Sequence, residues 1–459
     1  MSYWDTFDIG GEEPKYLAIC EALAQAIASG QLGPGRRLPS HRLLARKLGV
    51  SVGTVTRAYA EALRRGLISG EVGRGSYVSH THLALSVVDS DRIPTACVDL
   101  YQNLPVRLPE LENEAWAASL STLRAEHDLE ALVRWSWSEV TERNRRLGVR
   151  WIERLGMSPA PESIVDCPGV LAALNAIFAA TLRPGATVLT STLVHPALKL
   201  ITEHHSLKLI GVPGDDEGLL PEALAEHARR HSAELVYCMS TLHSPTTATM
   251  SPQRREAIAE VVEREGLILV EDEHAAFLLP EPALPISSLV PEHAFLIADL
   301  WMALSLGLWM SFVRVPDARR DAMARAVAAS SGTTPAFTAE LAARWIESDL
   351  ADRLIAARRA ELEWRNALTR KMLGRFDLRC HPQGHHVWLE LGRDWRSQAF
   401  TARCLERRVA VNGSSFFRVE GAMGGEGARL SIGNATDRDT LEQALEQVVD
   451  VLQQGPPEE

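Results

Sequence analysis

The sequence predicts a multidomain chain. A small basic helical domain closed by a β-hairpin comes first, then a larger α/β region with a mostly parallel sheet, then a smaller α+β region. Three observations carry this. Positive charge is concentrated near the start of an acidic chain. Strand-like and helix-like runs alternate through the middle. From about residue 316 that alternation gives way to Arg-rich amphipathic helices and two late strand-like runs. At 459 residues the chain is too long for one core and suits two or three. With 46% hydrophobic and 23% charged residues it is ordinary globular material, which excludes disordered and collagen-like classes. The apolar run from Leu300 to Val313 is short for a bilayer, and the first residues lack a signal-peptide pattern. Six scattered cysteines without a CxxC fit a reduced, cytoplasmic protein rather than a disulfide scaffold or a zinc site.

The charge distribution points to a partner. Net charge is −11, yet the segment from Pro34 to Gly75 sums to +7. A basic segment on an acidic chain is the footprint of a polyanion-binding face, although a charge run is more often a solvated surface. Local pattern decides between them. Leu17, Cys20, Leu23, Ala24 and Ile27 recur at helical spacing from Tyr16 to Ser29. Ser40 stands before a short helix with Leu43, Leu44 and Leu48 inward, stopped by Gly49. Ser51 caps the next helix, with Val52, Val55, Tyr59 and Leu63 inward and Thr54, Thr56 and Arg57 outward. Two short helices joined by a Gly-containing turn are a helix-turn-helix, and hydroxyls with a guanidinium suit base edges and phosphates. Leu67-Ile68-Ser69 and Ser76-Tyr77-Val78 then flank a glycine-rich tip carrying Arg74 and Gly75, a wing able to reach a minor groove. Residues 1–80 are thus expected to form a winged helix-turn-helix, with Ser40, Arg42, Ser51, Thr54, Thr56, Arg57, Arg74 and Gly75 facing a double-stranded DNA operator.

Residues 81–97 read as a linker and 98–459 as the body, with a large domain to about 315 and a small one from about 316. Strand-like runs are expected at Ile164-Val165, Thr187 to Thr190, Leu207 to Val212, Leu235 to Met239, Leu267 to Val270, Phe295 to Ala298 and Ser311 to Val315. Helices are expected at Gly169 to Thr181, Pro196 to Glu203, Pro221 to Arg230 and from Ser251-Pro252 to Glu265. Such βαβα order implies a mostly parallel sheet covered on both faces. The late strands are expected at His386 to Leu391 and Ala428 to Ile432. The last helix carries Leu441, Ala444, Leu445, Val448 and Leu452 on one face.

LPSHRLLARKLGVSVGTVTRAYAEALRRGLISGEVGRGSYV resembles the DNA-binding domain of the GntR family of bacterial repressors. One departure is Val52, where that family usually places Arg or Lys. With a body of this size and order behind it, the chain resembles the MocR subgroup, whose C-terminal part is similar to a fold-type I aminotransferase binding pyridoxal phosphate. The resemblance implies an α/β aminotransferase-like large domain, a smaller α+β domain and a cofactor site whose landmarks can be located here. Asp272, in LILVEDEHAAF, matches the acid that pairs with the pyridine nitrogen. His274 stands where a Tyr is usual, His195 where the stacking aromatic is usual, and Ser244 at the Asn of an Asn-Pro-Thr-Gly pattern. Gly169 keeps the phosphate-holding turn, followed by Val170 and Leu171 instead of polar residues. Arg429, in GARLSIGNA, matches the Arg that holds a substrate carboxylate.

The Schiff-base lysine is where this chain departs most. Aligning Gly307-Leu308 with the family's Gly-Leu puts Met302 at the lysine and Trp309 at the phosphate-binding Arg. The only lysines are Lys15, Lys47, Lys199, Lys208 and Lys371, so no shift of register rescues it. Three functions are weighed: a regulator whose body is a dimerisation and sensing module, a regulator that binds pyridoxal phosphate non-covalently, and an active aminotransferase. The first is the expected function, with no catalytic residues, no metal and no covalent cofactor. The pocket of Gly169, His195, Ser244, Asp272, His274, Met302, Trp309 and Arg429 is either remodelled for a small-molecule effector or simply packed. A homodimer is expected, because that fold usually forms one.

Overall fold

The computed structural model describes residues 14–28, 32, 36, 38–64, 67–71, 75–78, 97–126, 137–332, 334–392 and 394–456. The chain divides into two compact units, Met1–Pro94 and Thr95–Glu459.

In the first unit, helices α1 (Lys15–Ala28), α2 (His41–Leu48) and α3 (Val52–Arg64) precede a hairpin of β1 (Ile68–Glu71) and β2 (Gly75–Val78). The hairpin is antiparallel, with Ile68 opposite Val78 and Glu71 opposite Gly75. The Ser40 hydroxyl accepts from the Leu43 amide at 3.4 Å. Gly49 ends α2 with φ 63°, a left-handed conformation that glycine reaches without a Cβ penalty. The Ser51 hydroxyl caps α3 through the Thr54 amide at 3.1 Å. The helical stripes are rotated from those expected. Leu43, Val52 and Leu63 are 43%, 45% and 52% exposed, whereas Ala45, Ala58 and Ala62 are buried. Pattern reading favours large apolar residues, but small alanines let α1, α2 and α3 approach closely around Leu23, Leu44, Val55 and Tyr59. Arg74 and most of the 81–97 linker lie outside the described residues.

In the second unit, β3 (Val98–Asp99) is followed by helices Pro109–Glu126 and Trp137–Glu153. The sheet strands are β4 (Ile164–Cys167), β5 (Thr187–Ser191), β6 (Lys208–Val212), β9 (Leu235–Cys238), β10 (Ile268–Asp272), β11 (Ala294–Asp299) and β12 (Ser311–Arg314); β7 (Gly214–Asp215) and β8 (Gly218–Leu219) form a short hairpin apart. The seven strands run in the order β4-β12-β11-β10-β9-β5-β6. Only β12 is antiparallel to its neighbours, so the sheet is mostly parallel. β10 and β11 are buried at every residue; each opens on an apolar run, as strands covered on both faces do, and ends in buried acids, Glu271 and Asp272 on β10 and Asp299 on β11.

A four-stranded antiparallel sheet, β13 (Leu378–Arg379), β14 (Val387–Leu391), β17 (Glu426–Leu430) and β16 (Asn412–Gly413), forms the smaller α+β part. The last helix, Arg438–Gln454, buries Leu441, Ala444, Leu445, Val448 and Val451. Packing does not change at residue 316. Met323 and Val327 of helix Arg320–Ser330 belong to the large sheet's core, while β3 pairs with β15 (Val409–Ala410). The N-terminal residues of the body therefore join the later domain, a long-range pairing that a linear boundary misses.

Candidate functional site

On the first unit, Arg42, Thr56 and Arg57 are exposed on α2 and α3. Neither Arg42 nor Arg57 makes an ion pair among the described residues, so both guanidinium groups are available to an anion. The hydroxyls are already engaged. Thr56 donates to the Val52 carbonyl at 3.0 Å and lies 3.1 Å from His41 Nδ1. Ser51 and Thr54 hydroxyls pair at 2.8 Å. Tyr59 donates to the Pro39 carbonyl at 2.9 Å and takes His41 against its ring edge, which fixes α2 on α3.

On the second unit, the carboxyl ends of the parallel strands converge, the usual binding edge of such sheets. Gly169 follows β4, His195 follows β5, Ser244 follows β9, Asp272 ends β10 and Met302 follows β11. Asp272 is buried and accepts from the Tyr237 hydroxyl at 2.7 Å and from His274 Nδ1 at 3.1 Å. Burial alone would raise the Asp272 pKa, but His274 and Tyr237 more than offset it and the pKa falls. Burial likewise opposes protonation of His274, yet the Asp272 carboxylate raises it above the usual imidazole value. The two form an ion pair, His274 standing against the acid where a Tyr was usual in the resembling family.

Asp299, at the end of β11, is fully buried and leaves Oδ2 without a partner among the described residues. Burial, reinforced by Asp272, pushes its pKa up to about 7. Half-buried His195 accepts from the Ala197 amide at 3.3 Å and is pushed down to about 3, by burial first and then by Arg429 and His274.

Arg429 is 2% exposed and forms no ion pair among the described residues. It donates to the Ser244 hydroxyl at 3.0 Å and the Tyr101 carbonyl at 2.8 Å, and lies 4.8 Å from the Phe417 ring centroid. Its Nε has no partner among the described residues, and burial lowers its pKa to about 10. His385 is fully buried with neither ring nitrogen hydrogen-bonded among the described residues, its ring 6.1 Å from His274. Burial, then His274 and Arg429, hold it neutral.

Met302 is buried with Val106, Leu278 and Leu362. Arg358 braces the loop that follows, donating to the carbonyls of Ala303 at 3.1 Å and Leu304 at 2.6 Å. Gly307 lies close under Trp116, whose ring would have to shift to admit a Cβ there, at 2.6 Å. Trp309 packs on the Gly169 turn, and a Cβ on Gly169 would lie 2.2 Å from its Nε1. Trp309 also stacks on Trp301 at 5.6 Å, and Trp301 on His274 at 6.2 Å. An aromatic column thus runs from the Gly169 turn to the buried acid.

Seven of the eight residues expected in the pocket therefore lie at the carboxyl edge of the large sheet, and the eighth, Arg429, reaches it from β17 of the smaller sheet; direct contacts join Gly169 and Trp309, Asp272 and His274, and Ser244 and Arg429. Sequence reading missed Tyr237, Trp301, Asp299, Tyr101 and His385. Tyr237 and Asp299 sit in apolar strand runs where only pairing reveals a role. His385 stands beside a strand whose pattern gives no reason to single it out. Lys199 was also passed over. Burial lowers its pKa to about 8, but its amine is held by the carbonyls of Phe416 and Arg418 at 2.7 and 3.3 Å.

A small winged helix-turn-helix unit and a body with a mostly parallel seven-stranded sheet together define a DNA-binding regulator built on an aminotransferase fold. Residues 15–78 match the family of bacterial regulatory proteins, gntR, and residues 150–448 match aminotransferase class I and II. The chain belongs to the class I and II aminotransferase family through its body and, with a gntR-family domain ahead of it, is a GntR regulator of the MocR type. The uncharacterized HTH-type transcriptional regulator YdeF of Bacillus subtilis is 26% identical over 97% of this chain and 96% of its own. The HTH-type pyridoxine biosynthesis transcriptional regulator PdxR of Corynebacterium glutamicum is 25% identical over 61% of each chain. Among solved structures, kynurenine aminotransferase of Pyrococcus horikoshii superposes with TM-score 0.72 at 19% identity, over 82% of this chain and 95% of its own, a likeness of fold. Among the described residues no helix is long and apolar enough to cross a membrane.

Proposed function

We propose that this DNA-binding transcriptional regulator uses its aminotransferase-type body for dimerisation and effector sensing, without transaminase activity and without covalently held pyridoxal phosphate. The observation that carries the reading is the Trp309 indole packed on the Gly169 turn. That turn is where the family holds the cofactor phosphate. A dianion there would meet an indole instead of a cation, and its desolvation would go uncompensated. Met302, in place of the amine, is an apolar residue in an apolar cluster. The residues present do not fit the cofactor as the family binds it.

The Arg429 end of the site favours a small carboxylate. Arg429 is a buried cation with an unpaired Nε and, among the described residues, no acidic partner, a state that a bidentate anion would relieve. An effector there would act by binding DNA-competent and DNA-incompetent arrangements of a homodimer with different affinity. DNA contact is assigned to Ser40, Arg42, Ser51, Thr54, Thr56, Arg57, Arg74 and Gly75, with the arginines on phosphates or bases. A second reading, non-covalent pyridoxal phosphate, is favoured only by the retained Asp272 carboxylate and its Tyr237 partner.

The test is spectroscopic. The purified protein is expected to show no visible absorbance that borohydride removes, and no transamination. A borohydride-sensitive chromophore would overturn the reading. Absorbance lost on dialysis would support the second one. Introducing Met302→Lys with Trp309→Arg is expected to create measurable pyridoxal phosphate binding.

A further inference from the structure

We propose that Val52 reads a thymine in the operator through the base's 5-methyl group, making it a sequence-specifying residue of the DNA-binding face. The inference rests on DNA binding by the winged helix unit and adds which base its second helix selects. Val52 is the first residue of α3, directly after the Ser51 cap, and is 45% exposed. The N-terminal residues of a recognition helix are those that reach base edges in the major groove. An exposed branched apolar side chain is not favoured there by helix propensity or by the core, since α3 packs through Val55, Ala58, Tyr59 and Ala62.

The polar groups around it are already committed. Ser51 and Thr54 hydroxyls bond each other, and the Thr56 hydroxyl is taken by the Val52 carbonyl and His41. The Val52 methyls are therefore the exposed recognition chemistry of this first turn. In the major groove only thymine presents a methyl, whereas guanine, cytosine and adenine present donors and acceptors that an isopropyl group leaves unpaired. Leu43, on α2 and 43% exposed, adds apolar surface to the same helix pair. Arg42 and Arg57, exposed on the same pair of helices, supply the charged contacts that a methyl group cannot make.

The probe is the tightest duplex recovered by the full-length protein from a random-sequence pool, with each thymine replaced singly by deoxyuridine, which deletes only the methyl. At one position in each half-site the replacement is expected to weaken binding about 3- to 5-fold, the scale of one buried methyl. Val52→Ala should weaken the parent duplex by a similar factor and abolish the deoxyuridine effect at that position. Val52→Lys should also abolish it while steepening the salt dependence by about one phosphate contact. Indifference to deoxyuridine at every position, or an effect that persists undiminished in Val52→Ala, would overturn the assignment. Recovery of no bound duplex would overturn DNA binding itself, and the inference with it.

Discussion

Replacing Gly169 with Ala probes the packing of Trp309, because two separable costs meet at that position. The first is conformational. Gly169 has φ 85° and ψ 169°, a region that residues with a Cβ essentially avoid, at about 1–3 kcal/mol. The second is steric. The new Cβ would lie 2.2 Å from Trp309 Nε1, so the indole must move. Trp309 is 41% exposed. Complete removal of the covered part of an indole, at about 25 cal/mol per Å², sets an upper limit of about 3 kcal/mol. A partial shift suffices, so about 1–2 kcal/mol is expected. Gly169→Ala should therefore destabilise the body by about 2–5 kcal/mol alone, and by only about 1–3 kcal/mol when Trp309 is already Ala. The assay is urea unfolding of the four proteins of the cycle, followed by far-UV ellipticity and compared at constant m-value. Equal costs in both backgrounds would mean that the indole does not sit on the turn, and the reading of a blocked phosphate site would fall with it.

Further outcomes follow from the same geometry. Asp299 has a folded pKa raised to about 7, so it favours the folded state while protonated, below about pH 4. That contribution is lost as pH rises from about 4 through about 7, and Asp299→Asn should gain stability over the parent by on the order of 1 kcal/mol per pH unit across this window. A pH-independent difference in thermal unfolding would contradict it. Arg42→Ala with Arg57→Ala should weaken binding to selected duplexes and flatten the salt slope by roughly one per lost phosphate contact. Full affinity in a mobility-shift titration would remove both residues from the interface. Full-length protein should sediment as a dimer at micromolar concentration without DNA, and a stable monomer there would refute the proposed assembly.

Much of the fold was legible because periodicity reports burial. The βαβα alternation located all seven strands of the large sheet to within a few residues, since strands covered on both faces are mostly apolar. The caps at Ser40, Ser51 and Ser251 were legible because a short side chain satisfying a helix's first amides is a local event. The stripes of α2 and α3 were misread by about one position. A pattern of large apolar residues says which side chains could be buried, while the closeness allowed by Ala58 and Ala62 decides which are.

The candidate site divides in the same way. The sequence by itself determined that this chain has no lysine between Lys208 and Lys371, and that Asp272, Arg429 and the Gly169 turn occupy recognisable segments. Only the tertiary structure decided what those segments meet. It set Trp309 on Gly169, paired His274 with Asp272, left Arg429 buried with no acid beside it among the described residues, and brought Tyr237 and Asp299 to the same strand edge. The reason is physical. Which residues a chain contains is fixed locally, but whether a buried charge finds a counter-charge, and whether a ring fills a turn more than a hundred residues away, depends on strands that adjoin only after the sheet has formed.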